Sequence, residues 1–394
     1  MAALLQFLTS SSTCLAPLKW LILSALFANV AFSGQIVKHL PGFHGELPFK
    51  LETGYVSVGD SELFYYFIES QGDPEKDPLF LWLTGGPGCS SFGGLIFEIG
   101  PLEFDVDNYK VGLPELKYCP YAWTKSASFI FLDAPVGSGF SYARTPEGWH
   151  ISDSESAEQS YQFLKKWLLE HPQYLLLQLY IGGDSYSGIP VPLITKKVIE
   201  GNEASVLPHL NLQGYLVGSP MTDLIIDRNS RIVFAHRLAL ISDELYENFV
   251  YEMAYSWAND PLVQDALHVR KGIVSEWVRC NRSLSYEKNV TSVVDVHRYL
   301  STKGLQLLVE TGDHDMTTPY VGTEKWIKSL NLTIADDWRP WYIDGQVAGY
   351  TRKNSQHGFQ LTFATVKGGG HPAPEFKRRE CYEMFQRWIH YYPL

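Results

Sequence analysis

The sequence predicts an α/β fold, a mostly parallel sheet covered by helices on both faces. Short apolar runs alternate with helical patterns along the chain, and glycine-rich turns follow directly on several of those runs. No Pro/Gly/Ser-rich linker interrupts the alternation, so residues 34–394 are expected to form one domain. With 394 residues, 45% hydrophobic and 14% aromatic, the chain can build a substantial core.

The elements follow in order. Residues 1–33 carry one charge, Lys19, ahead of the apolar run Trp20 to Ala28 and the small residues Ala31-Phe32-Ser33. This pattern reads as a secretory signal peptide, with an N-terminal membrane anchor as the alternative. Secretion or delivery to a vacuole is the localisation it allows. Gly54 to Val58, Gly59-Asp60 and Leu63 to Ile68 read as a β-hairpin. Pro78 to Leu83 and Ala127 to Leu132 are short buried strands. Ser152-Asp153-Ser154-Glu155 is a capping box. It opens a helix whose apolar face includes Ala157, Leu164, Trp167 and Leu168. Further strands are expected at Leu175 to Ile181, Leu212 to Val217, Leu305 to Val309 and Leu361 to Val366.

Four motifs sit at the ends of these runs. Gly183-Asp184-Ser185-Tyr186-Ser187-Gly188 follows a strand, and its glycines permit a turn tight enough to lift a serine hydroxyl clear of the sheet. Thr84-Gly85-Gly86-Pro87-Gly88-Cys89-Ser90-Ser91 also follows a strand. There the N–H of Gly86, together with that of Tyr186, is placed to hold an oxyanion, each such donor contributing about 3 kcal/mol to a transition state. Thr311-Gly312-Asp313-His314-Asp315 offers a carboxylate to orient a histidine, with both aspartates open as candidates. Metal binding by Asp313, His314 and Asp315 is the rival reading, and no other ligand cluster supports it. Gly368-Gly369-Gly370-His371-Pro372 places a histidine in a loop able to aim its ring inward. Serine, aspartate, histidine is the chain order of an α/β-hydrolase triad. No motif calls for a cofactor. The net charge of −11 argues against nucleic acid or an anionic membrane as partner.

These motifs, together with Leu40-Pro41-Gly42, Glu98-Ile99-Gly100-Pro101 and Pro135-Val136-Gly137-Ser138-Gly139-Phe140-Ser141-Tyr142, resemble those of the serine carboxypeptidase family. The resemblance implies Ser185 as nucleophile, Asp315 as acid, His371 as base, and Gly86 and Tyr186 as oxyanion donors. It also implies a disulfide between Cys89 and Cys280, which would bring Arg279 near the cleft, where its guanidinium could bind a carboxylate on an acceptor. Cys119 and Cys381 find no partner in the family pattern and are expected as free thiols. Secretory entry makes Asn281, Asn289 and Asn331 candidate glycosylation sites.

The family has two trades: carboxypeptidases, and plant acyltransferases that move an acyl group from a sugar ester to an acceptor hydroxyl. The peptidases hold the substrate's terminal carboxylate with an asparagine and two glutamates. Here the asparagine position is Thr84, one glutamate is kept as Glu98, and the other is Asp184. Threonine has one rotatable hydroxyl where asparagine offers two N–H donors, and aspartate is one methylene shorter than glutamate. Asp336 to Trp341 and Asp344 to Tyr350 also resemble the acyltransferase branch. The expected function is therefore acyl transfer from a 1-O-acyl-glucose ester, with carboxypeptidase activity as the alternative. Family members carry a long insertion between the sheet halves. Here Ile241 to Glu247 begins it, and Tyr251 to Ala258 already resembles its far side, so the cap is expected to be shortened near Asn248 and Phe249 to a remnant over 221–260. A weak or inactive shortened isoform is the second alternative.

Overall fold

A computed structural model describes residues 34–109, 111–227, 230–231, 254–281 and 283–394. The expected leader, 1–33, lies outside the described residues. So do 228–229 and 232–253 of the cap remnant, including the expected break at Asn248 and Phe249.

Twelve strands form one sheet. Eleven lie along its path: β1 (Gly34–Val37), β2 (Leu51–Val58), β3 (Ser61–Ile68), β4 (Leu79–Leu83), β5 (Ser128–Leu132), β6 (Leu179–Asp184), β7 (Leu212–Gly218), β8 (Gln306–Gly312), β9 (Thr333–Ile343), β10 (Gln346–Gln356) and β11 (Phe359–Val366). Their order is β1-β2-β3-β5-β4-β6-β7-β8-β11-β10-β9, and the pair Tyr142–Ala143 adds to β3. The six strands from β5 to β11 are parallel. The expected parallel sheet forms this centre, and antiparallel strands extend it on both flanks, so the whole sheet is mixed. The reason is connection length: β2 and β3 turn through Gly59-Asp60, and β9 and β10 through Asp344-Gly345. Two-residue turns can join only antiparallel neighbours.

Alternating strand residues feed two separate cores. Leu307 and Val309 of β8 pack with helices α1 (Asp153–Glu170), α2 (Pro190–Glu203) and α3 (Tyr320–Ser329) on one face. Leu308, with Tyr180 and Leu216, packs on the other face with Met384, Phe385 and Trp388 of α4 (Arg378–Ile389). The expected capping box is present, with Ser152 accepting from the Glu155 N–H and the Glu155 carboxylate accepting from the Ser152 N–H. Ala157, Leu164, Trp167 and Leu168 are buried as their spacing requires. One expectation fails locally. Leu175 to Leu177 form a turn, and the strand starts only at Leu179; Leu176 is 85% exposed. Pro172 begins a helical turn there, and an apolar run alone does not set where a strand begins.

Chain order reverses around β4, with β5 on one side and β6 on the other. Open parallel sheets form their binding crevice beyond the carboxyl ends of the strands at such a reversal. The loops after β4 and β6, carrying Gly85-Gly86 and Ser185, leave the sheet at this point. The far side of the cap remnant supports them: Trp257 stacks on Phe92 with ring centroids 5.0 Å apart, and its indole N–H donates to the Pro41 carbonyl at 3.0 Å.

Candidate active site

Ser185 follows β6 on a single helical turn, Ser185–Gly188, that leads into α2. Its φ of +55° is a left-handed conformation rare outside glycine, so the fold holds the serine on a strained apex. The neighbouring glycines make this possible by close approach. A Cβ on Gly183 would stand 2.5 Å from the Leu83 carbonyl oxygen, and one on Gly188 would stand 2.3 Å from that of Met221. A Cβ on Gly85 would stand 2.5 Å from the Tyr186 nitrogen, so the glycine loop lies directly against the elbow.

Ser185 Oγ is 2.7 Å from His371 Nε2. His371 Nδ1 is 2.8 Å from Asp315 Oδ2. Asp315 is fully buried and accepts from the N–H groups of Thr317 at 2.7 Å and Thr318 at 2.9 Å through Oδ1. With Nδ1–H directed at that carboxylate, Nε2 is free to accept the serine proton. Burial disfavours the Asp315 charge, yet the adjoining imidazole and its hydrogen bond outweigh burial and hold the carboxyl below its ordinary range. Burial likewise works against a charged His371, and Asp315 beside it nonetheless raises the imidazole above its ordinary value. The geometry separates the two candidate aspartates. Asp313 Oδ1 instead accepts from the Gly368 N–H at 2.6 Å and ties the two loops together. Among the described residues no group of three His, Cys, Asp or Glu is arranged to hold a metal ion.

The glycine loop is anchored by a residue the sequence reading passed over. Asp133, fully buried at the end of β5, accepts from Ser90 Oγ at 2.7 Å and the Ser91 N–H at 2.8 Å through one oxygen, and from the Phe140 N–H at 3.0 Å through the other. The available signal was a lone aspartate directly after the apolar run Phe129-Ile130-Phe131-Leu132. On the other side Cys89 is disulfide-bonded to Cys280. The Ser90 N–H donates to the Arg279 carbonyl at 2.9 Å, and the Asn281 N–H to the Gly88 carbonyl at 2.9 Å. Gly86 has φ +111° and sits against the disulfide; a Cβ there would be 2.9 Å from Cys89 Sγ. Cys119 and Cys381 are free and buried.

Thr84, Glu98 and Asp184 are all buried beside the elbow. A Cβ on Gly93 would lie within 4 Å of both Thr84 Cγ2 and Glu98 Oε1, so these two face one space. Thr84 Oγ1, Glu98 Oε2 and Asp184 Oδ1 have no hydrogen-bond partner among the described residues. Burial, then the Asp184 charge, push the Glu98 carboxyl well up, and burial pushes Asp184 to about 6. The Arg279 guanidinium lies 6.0 Å from the Phe97 ring centroid and within electrostatic reach of both acids. Next to them a cavity of about 260 Å³ is lined by Ile96, Phe97, Phe104, Glu375, Phe376 and Arg378. Phe376 also packs on Gly370, one residue from His371.

Buried carboxyls set an acid-side stability optimum. Burial raises Asp133 to about 7, Asp227 to about 6 and Glu310 to about 8, besides Asp184. In the unfolded chain these groups ionise near pH 4. Folding then favours the protonated forms, so their stabilisation is complete below about pH 4 and is lost as pH rises towards 8. Asp315 and Glu52, both lowered, and buried His297, lowered to about 3 by burial, act oppositely and lose their contribution on acidification, but they are outnumbered by the raised carboxyls. The melting temperature is therefore expected to be several degrees lower at about pH 8 than at about pH 5. Differential scanning calorimetry across that range checks it, and a flat or rising trend contradicts it.

The serine carboxypeptidase (peptidase S10) family profile matches residues 41–256 and 249–391. Serine carboxypeptidase-like 2 of Arabidopsis thaliana is 45% identical over 417 residues, covering 92% of this chain and 94% of that protein. Serine carboxypeptidase-like 17 of the same plant is 43% identical over 434 residues, covering 96% and 98%. A span of 417 aligned residues exceeds what 92% of 394 residues can fill, so that relative carries several tens of residues this chain lacks. Among solved structures, KEX1(DELTA)P, a prohormone-processing carboxypeptidase from Saccharomyces cerevisiae, matches with a TM-score of 0.72 at 17% identity, over 87% of this chain and 91% of that one. That likeness supports the α/β-hydrolase fold. Family profile, relatives and fold agree: this chain belongs to the serine carboxypeptidase family.

Proposed function

We propose that this protein is an acyltransferase that moves an acyl group from a 1-O-acyl-glucose ester to an acceptor hydroxyl through a Ser185 acyl-enzyme. Ser185 Oγ attacks the ester carbonyl while its proton passes to His371 Nε2, and Asp315 stabilises the imidazolium. The N–H groups of Gly86 and Tyr186 hold the tetrahedral oxyanion. Collapse breaks the bond to glucose, which leaves with the proton from His371. The acceptor hydroxyl then gives its proton to His371, attacks the acyl-enzyme and frees Ser185. Transfer outruns hydrolysis where the acceptor is held close and water is kept out.

The observation that carries this reading over peptidase action is the set of buried, unpartnered atoms on Thr84, Glu98 and Asp184. Thr84 brings a single hydroxyl where the peptidases carry an amide with two N–H donors, and Asp184 is one methylene shorter than their glutamate, so a terminal carboxylate would meet fewer donors in altered positions. Arg279 stands within electrostatic reach of Glu98 and Asp184, and a guanidinium there suits an acceptor carrying a carboxylate. Arg279→Ala is expected to raise KM for such an acceptor about tenfold or more with kcat little changed. An unchanged KM removes Arg279 from acceptor binding. The cavity beside Phe97 and Phe376 offers room for an apolar acyl or acceptor group, and Phe376 connects it to Gly370, the residue before His371.

Incubation of the mature chain with acyl-glucose esters, mixed acceptors and a blocked dipeptide tests the reading. Acylated acceptor formed faster than free acid supports it, and dipeptide cleavage alone overturns it in favour of a carboxypeptidase. Free acid alone fits the shortened-cap reading, which the length difference from the Arabidopsis relatives favours as the second possibility. We infer a secretory route after removal of the leader. The acid-side stability expected from the raised carboxyls would suit an acidic compartment such as a vacuole. Among the described residues no helix is long and apolar enough to cross a membrane. Of the sequons, Asn281 is half-buried with its side-chain N–H donating to the Gly137 carbonyl, whereas Asn289 and Asn331 are exposed and are the better glycan acceptors.

A further inference from the structure

A glutamate sits where strand pattern calls for an apolar residue. Glu310 follows Leu307-Leu308-Val309 in β8 and is 1% exposed. Register places it in a row at the carboxyl end of the sheet, with Asp184 of β6 paired to Gly218 of β7 and Gly218 paired to Glu310. All three therefore share one face. Gly218 has no side chain, and the two acids close over it. A Cβ on Gly218 would stand 2.4 Å from Glu310 Oε1 and 3.8 Å from Asp184 Cβ. Asp184 is the residue before Ser185, and Asp315 lies five residues after Glu310. Glu310 is thus built into the floor of the reactive centre by two strands at once.

We propose that Glu310 is an uncharged carboxyl of the active site, and that keeping its proton is a condition for reaction at Ser185. This rests on the reading of Ser185 and His371 as the reactive pair. The groups that face Glu310 are all acids: Asp184 from β6, Asp315 from the loop after β8, and the Cys381 thiol from α4. Around Asp184 stand His371, Arg279 and Glu375. Glu310 Oε2 has no hydrogen-bond partner among the described residues. A charge on Glu310 would sit buried without a facing cation, beside a site where negative charge must develop on the substrate oxygen. Burial, with Asp315 and Asp184, pushes the carboxyl up to about 8. The uncharged form thus covers the neutral range.

The test needs no knowledge of the natural substrate. A small fluorophosphonate forms a phosphorus–oxygen bond at Ser185 Oγ, releases fluoride and delivers the serine proton to His371. Its second-order rate constant is measured from about pH 4 to 10 on the full mature chain. The wild-type rate is expected to rise through the ionisation of His371 and then fall by up to about tenfold per pH unit above the Glu310 ionisation. Glu310→Gln is expected to keep the acid limb and lose the alkaline fall. Glu310→Met, uncharged and of similar length, is expected to do the same and serves where the glutamine variant does not fold. A wild-type profile with no alkaline fall, or a fall that persists in either folded variant, overturns the proposal. No reaction of the wild type at any pH overturns the Ser185 reading itself.

Discussion

Ser185→Ala is expected to lower acyl transfer and ester hydrolysis together by about four to six orders of magnitude, with the fold intact. The size follows from position. Ser185 Oγ is the hydroxyl 2.7 Å from His371 Nε2, and among the described residues no other side chain hydrogen-bonds that nitrogen. In the proposed mechanism both reactions pass through the same acyl-enzyme, so their losses are expected to match. Rates with an acyl-glucose ester, read beside a thermal melt of the variant, check this. Retained turnover, or loss of transfer with hydrolysis unchanged, contradicts the mechanism.

Removing the Cys89–Cys280 bond gives the second large effect. The cysteines are 191 residues apart. A cross-link over so long a loop contributes up to about 5 kcal/mol, the top of the usual range of roughly 0–5. Cys89→Ser with Cys280→Ser is therefore expected to lower the melting temperature clearly. It is also expected to lower kcat beyond what any unfolded fraction explains, because Gly86 packs on Cys89 and is the proposed oxyanion donor. The loop does not come free, since Asp133 still holds Ser90 and Ser91, and two backbone hydrogen bonds still join it to Arg279 and Asn281. Calorimetry and steady-state rates on the double variant measure both effects. An unchanged melt and unchanged rates would show the bond to be dispensable.

What the sequence made legible was local chemistry with glycine around it. The elbow could be read because Gly183 and Gly188 have space for no side chain, and the loop of Gly85 and Gly86 for the same reason. Both motifs end strands whose apolar runs announce them. Residue chemistry alone left the two aspartates of Asp313-His314-Asp315 equivalent, and only the family resemblance pointed to Asp315; in the fold Asp315 faces His371 and Asp313 the Gly368 N–H. Asp344-Gly345 carried a hairpin signal that went unused. Both residues adopt positive φ, +48° and +75°, as a two-residue turn between paired strands requires. Glu310 was hidden for a different reason. A charged residue at the end of an apolar run reads as a strand terminus, and only sheet register reveals that it lies over a glycine beside Asp184. The unpartnered atoms of Thr84, Glu98 and Asp184 likewise depend on distances between loops that no sequence spacing encodes.

The most direct test of the central claim is partitioning of the acyl-enzyme. The mature chain is given one acyl-glucose ester that it turns over, and glucose, free acid and acylated acceptor are quantified as the acceptor concentration rises. The account predicts that glucose release continues while free acid falls and acylated acceptor replaces it mole for mole. Free acid that stays constant at every acceptor concentration would contradict transfer and leave a hydrolase.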